Sequence, residues 1–159
     1  MAFSQFIIEN IDEIVSEWEN FAKTMRAAAR LDPAALRGEA SQILRAIAHD
    51  MKQSRTSQAR EAKSKGEVVR AFGAPDTAAE SHGGARFGSG CNVNEIVAEF
   101  RAVRASVMRL WTRQLLTVDG DALYDLMRFN EGMDQALGES VERYTAMCNL
   151  SLNRFLATG

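Results

Sequence analysis

The sequence predicts an all-α domain, and three observations carry that expectation. Apolar residues recur at three- and four-residue steps through most of the chain, the spacing of a helix face. No segment alternates as a strand would. Pro33, Pro75 and the glycine clusters divide the periodic stretches into helical blocks. The 159 residues are 46% hydrophobic and 25% charged, which is enough apolar matter for one globular core. The expected architecture is a single domain, residues 1–159, of four long helices and one short helix, without internal repeats.

The first helix is expected from Ser4 to Ala29. Phe6, Ile7, Ile11, Ile14, Trp18, Phe21 and Met25 form its inward stripe, and charges cover the other side. Asp32-Pro33 opens the second, with a capping side chain followed by proline at the first helical position. Leu36, Ala40, Ile43, Leu44, Ile47 and Met51 carry its apolar face. From Lys52 to Lys65 the periodicity is lost and no large apolar residue occurs. That stretch reads as an exposed connection holding at most a short helical turn-set. Asp76 is placed to cap a short helix from Thr77 to Phe87, which Gly88-Ser89-Gly90 ends. Asn92 followed by Glu95 reads as a capping box. It opens a strong helix to Leu116, with Val93, Ile96, Val97, Phe100, Val103, Val107, Leu110 and Trp111 as its stripe.

The last helix is expected from Asp121 to Leu156, carried by Leu123, Leu126, Met127, Met133, Leu137, Val141, Tyr144, Cys148, Leu152 and Phe155. At roughly 1.5 Å per residue it is a rod of about 54 Å. A domain of this length has a radius of gyration of about 15 Å. A helix longer than the body beneath it pairs with a second copy or leads into another domain, so a homodimer is expected.

Several function classes are disfavoured. The net charge of −2 offers no polyanion a basic face, so neither nucleic acid nor an acidic membrane is expected as partner. No basic stretch precedes an apolar core at Met1 to Phe6, and no apolar run nears about 18 residues, so neither a signal peptide nor a membrane span is expected. Cys91 and Cys148 lie far apart and form no CxxC, which fits a reducing, cytoplasmic compartment. His49 and His82 are the only histidines and neither has metal-ligand spacing, so no metal is expected and haem is disfavoured. Cys91, in a glycine loop beside a helix N-terminus, is a candidate for a lowered thiol pKa. No spacing suggests a nucleophilic triad, and no enzymatic activity is expected.

One constellation stands out. His82 and Arg86 are one helical turn apart, with Gly83 and Gly84 beside them to admit another helix closely. Arg104 shares the apolar side with Phe100, and Asn130 and Asp134, one turn apart, fall within the stripe of the last helix. A buried charge must be paired. The expectation is therefore a polar cluster inside the bundle built from His82, Arg86, Arg104, Asn130 and Asp134, joined by Glu99. It is either a structural network or a site whose protonation or small-ligand occupancy biases the helices.

The stretch His82-Gly83-Gly84-Ala85-Arg86-Phe87-Gly88, then Asn94 to Arg104 and Trp111, resembles the N-terminal domains of RsbR-type stressosome proteins. The block from Arg128 to Val141 is similar to the version at the N-terminus of bacterial soluble histidine kinases. The chain departs from the pattern at Gly132, where a larger apolar residue is usual, and at Val103, where leucine is common. The resemblance implies a globin-like helical fold without haem and a sensory input role in a two-component system. It also implies that residues 145–159, with the run from Asn153 to Gly159, form a connector to a kinase domain. The competing expectation is a passive dimerisation or scaffold module of a stressosome-like assembly.

Overall fold

The computed structural model describes residues 1–24, 32–53, 56–66 and 73–159. All regular structure among them is helical: α1 (Phe3–Glu9), α2 (Ile11–Ala22), α3 (Pro33–Met51), α4 (Ser57–Ser64), α5 (Ala78–Gly88), α6 (Val93–Gln114) and α7 (Gly120–Thr158). The expected first helix is thus two. Asn10 leaves helical geometry at φ −113° and ψ 17°, and its Nδ2 donates to the Phe6 carbonyl at 2.9 Å. A short amide side chain competing for a backbone carbonyl is a local helix breaker. The break turns Phe3 inward, where it stacks on Trp111 at 4.0 Å between centroids and lies 4.9 Å from Phe129. Phe21, expected inside, is exposed, and the expected stretch from Met25 to Ala29 lies outside the described residues.

Asp32 caps α3, accepting from the Ala35 amide, and Leu36, Ala40, Ile43, Leu44 and Ile47 are buried as their spacing predicts. The segment read as an exposed connection is corrected in part. Thr56 caps α4, Lys63 is buried against Asp50, and Arg60 pairs with Glu131 at 2.8 Å while covering the Tyr124 ring. These charges face acids on α3 and α7, partners that the local pattern cannot reveal. Arg128, itself buried, donates to the Asp50 and Gln53 carbonyls at 2.7 and 3.1 Å and so closes the C-terminal end of α3.

Thr77, not Asp76, caps α5, accepting from the Glu80 amide at 3.1 Å; Asp76 instead holds Arg143 of α7 at 2.5 and 2.8 Å. Asn92 caps α6 as expected, but α6 ends at Gln114 and leaves Leu116 almost fully exposed. Asp119 caps α7, whose 39 residues span about 58 Å at 1.5 Å per residue. Phe129, Met133 and Ala136 anchor its middle in the core. Leu123 and Met127, expected inside, are exposed, as are Leu152 and Phe155. Both ends of the rod therefore carry apolar surface that its own domain does not cover.

Two glycines set helix spacing. A Cβ on Gly83 would lie 2.0 Å from the Ser140 carbonyl oxygen, so α5 and α7 touch backbone to backbone there. A Cβ on Gly132 would lie 2.8 Å from Ile47 Cγ2. The departure at Gly132 thus lets α3 close on α7.

Candidate functional site

The close approach at Gly83 delivers the adjacent His82 to α7. His82 Nδ1 lies 2.8 Å from Ser140 Oγ, and Nε2 lies 2.5 Å from Glu99 Oε2 on α6. One turn along α5, Arg86 donates from Nε to both Glu99 oxygens at 2.8 and 3.0 Å, and its second guanidinium nitrogen sits 2.7 Å from Glu39 Oε2 on α3. His82, Arg86 and Glu99 are buried, and Ser140 is 0% exposed. Four helices thus meet at one polar centre, and α7 joins it through a single serine.

With Glu99 ionised, Nε2 carries a proton and donates to it, and the neutral ring accepts the Ser140 hydroxyl at Nδ1. Arg86, Glu99 and Glu39 then sum to one negative charge, and protonating His82 neutralises the group. Burial pushes the Glu99 carboxyl up, but the hydrogen bond from His82, the positive charge that ring carries once protonated, and the charge of Arg86 outweigh it and hold the carboxyl below its ordinary value of 4.5. The stabilisation from Glu99 is therefore complete above pH 4.5 and lost as pH falls from there through the depressed folded-state value. Urea unfolding midpoints measured from pH 6 down to pH 3 should fall across that window, and Glu99→Gln should flatten this part of the profile.

Three of the six expected cluster residues meet here: His82, Arg86 and Glu99. The other three do not. Arg104 and Asp134 pair with each other at the surface, with side chains 36% and 68% exposed. Asp134 falls on the outer side of α7, so its charge stays hydrated. Asn130 is half-buried and donates to the Leu126 carbonyl one turn back, within its own helix. Sequence reasoning misses Ser140 and Glu39. A serine within an apolar stripe reads as a small filler, and Glu39 reads as part of the charged side of α3. The one available signal is the Gly83-Gly84 pair, which announces a close helix opposite.

A cavity of about 20 Å³ abuts the cluster, lined by Trp18, Ala40, Ile43, His82, Arg86, Glu99, Phe100 and Val103. That volume suits one water molecule. Trp18, one of its lining residues, buries its Nε1 without a hydrogen-bond acceptor among the described residues. The order serine, histidine, carboxylate is that of a nucleophile relay. Ser140, however, is sealed between α5 and α7 and does not line the cavity. Cys91, expected to have a lowered pKa, shows the opposite: burial first, then the nearby Glu95 and Glu99 charges, push its thiol up, which lowers its reactivity. Its carbonyl accepts from the Tyr144 hydroxyl at 2.7 Å, a second tie between α7 and the start of α6.

Among the described residues no group of three or more histidine, cysteine or acidic side chains is arranged to hold a metal, and no helix is long and apolar enough to cross a membrane. Comparison with models of known protein families, with curated proteins and with solved structures finds no match for this chain.

Proposed function

We propose that the chain is a globin-like sensory input domain that regulates a histidine kinase, working as a dimer and passing its signal along α7. The observation that carries this reading is the position of Ser140. It is the link between a buried, titratable centre and a helix whose last residues, from Asn149 on, stand free of the body with Leu150, Leu152, Phe155 and Leu156 exposed. The resemblance of His82 to Val141 to kinase input domains supplies the output partner.

The geometry supports a specific coupling. Neutral His82 receives the Ser140 hydroxyl proton at Nδ1. Protonated His82 donates from both nitrogens, so the hydroxyl must turn and donate elsewhere. The acceptor in reach of a helical serine is the carbonyl four residues back, here Ala136, and such back-bonding bends helices. The charged groups facing His82 are Glu99 from α6, Arg86 from its own helix and, through Arg86, Glu39 from α3. They sum to the negative charge that a proton on His82 offsets. The ion pairs that tie α3, α5 and α6 together in the cluster also suit a second reading, a passive dimerisation scaffold in which it only fixes helix register.

Autophosphorylation of the domain joined through α7 to a histidine kinase core separates the two. Rates are compared for wild type and His82→Gln from pH 5 to 8, as a ratio that cancels the core's own pH dependence. A sensory role gives a ratio that changes at least threefold across the range. A ratio constant with pH, with both proteins folded, leaves the scaffold.

A further inference from the structure

We infer that α7 pairs with α7 of a second copy of this chain, in parallel, along a seam that runs from Leu123 to Phe155 with the Arg104–Asp134 pair at its centre. The inference rests on the dimer in the reading above and adds its surface and orientation. Met127, Asp134, Val141, Cys148 and Phe155 stand seven residues apart, and Leu123, Asn130 and Leu137 precede the first three of these by four. That is the spacing of a two-helix seam. Leu137 and Val141 in its middle are half-buried against the chain's own core, so the free apolar surface lies at its ends: Leu123 is 53%, Met127 55% and Phe155 74% exposed. Residues 149–159 are exposed throughout and helical to Thr158. An isolated helical stretch of that length is unstable in water, the more so with four large apolar side chains bare. Arg154 is the only charged side chain from Tyr144 to Gly159, so a single exposed like-charge pair is all that opposes a parallel copy along the overhang.

The charges choose the partner. Asp134 stands on the seam and would set a carboxylate against any purely apolar helix. A two-fold copy brings its own Arg104, so two Arg104–Asp134 pairs meet across the axis with no net charge. Asn130 faces Asn130 one turn away, the polar pair that fixes register in paired helices. The antiparallel alternative, centred on Val141, sets Met127 against Phe155 and Asp134 against Cys148. It separates the two ion pairs by 14 residues, about 21 Å along the axis, and gives each carboxylate a thiol for a neighbour.

Parallel pairing also places Cys148 opposite Cys148, within the reach of a disulfide. The test is sedimentation of the purified chain at micromolar concentration, followed by mild oxidation with copper phenanthroline. The expected results are a dimer, a covalent dimer whose linked peptide joins Cys148 to Cys148, and no covalent dimer from Cys148→Ser. Phe155→Asp lies beyond the folded body, so its helicity and melting should report an intact domain while its dimer dissociation constant rises at least tenfold. A monomeric wild type, a dimer that yields no Cys148–Cys148 link, or a Phe155→Asp variant that dimerises as well as wild type would each overturn the inference. No kinase is needed for these readouts. A failed seam therefore leaves the response of His82 to be judged separately, and an unresponsive kinase leaves the seam standing.

Discussion

Glu99→Gln should destabilise the domain by about 3 kcal/mol, the low end of the cost of stranding one partner of a buried ion pair. Glu99 is the acceptor for three bonds, two from Arg86 and one from His82. The amide keeps the shape but removes the charge, leaving a guanidinium buried with only Glu39 beside it. Glu39 is partly hydrated, with 22% of its side chain exposed, and its pairing with Arg86 keeps the cost from reaching the upper end of the range. The effect should appear as a lower urea midpoint with an unchanged slope. The double change Arg86→Met with Glu99→Leu should restore most of that stability, because buried ion pairs exchanged for apolar groups of similar volume are often neutral. If the double variant is as stable as wild type, the cluster is not retained for stability alone. The double variant then becomes the tool for asking what else the cluster does.

Gly83→Ala should cost about 2–3 kcal/mol, the scale of overpacking a tight interface. Alanine is the better helix former by about 1 kcal/mol, so propensity by itself predicts a more stable protein. The sign is reversed because the added methyl would sit 2.0 Å from the Ser140 carbonyl, and a backbone atom cannot move aside as a flexible side chain can. The whole of α5 must shift off α7, and the hydrogen bond between His82 and Ser140 is the first to break. Gly38→Ala is the matched control. It also lies within a helix, but its Cβ would meet nothing within 4 Å, so it should stabilise by up to about 1 kcal/mol. Thermal melts of the two variants should move in opposite directions.

These residues also show what the sequence makes legible. Helix existence follows from apolar spacing, and the caps Asp32 and Asn92 follow from local chemistry, because both are governed by neighbours within four positions. His82 and Arg86 share one helical turn, so their common direction can be read directly; the sequence offers Asp134 as the first acid for the arginines and Glu99 as the second, and it is Glu99 that meets Arg86. Arg104 and Asp134 match each other as charges, yet they meet at the surface and not in the core. An ion pair is as satisfied in one place as in the other, and periodicity does not say which edge of a stripe water reaches. The break at Asn10 turns on a single side-chain amide that shares the Phe6 carbonyl with its own backbone N–H. Helix α4 turns on Lys63 and Arg60 finding acids 13 and 71 residues away along the chain. Ser140 stays hidden because its importance comes from Gly83 across the interface and not from anything beside it in the chain.

The state of the buried cluster should be felt along α7 beyond the point where Ser140 meets His82. Backbone hydrogen exchange of wild type and the Arg86→Met, Glu99→Leu variant measures this most directly, since the hydrogen bonds and ion pairs of both substituted residues run to α3, α5 and α6. The expected result is a change in protection factors along α7 from Ser140 toward Thr158, while the rest of the core keeps its exchange. Changes confined to α5 and α6, with α7 identical in the two proteins, would contradict a sensory role for the cluster.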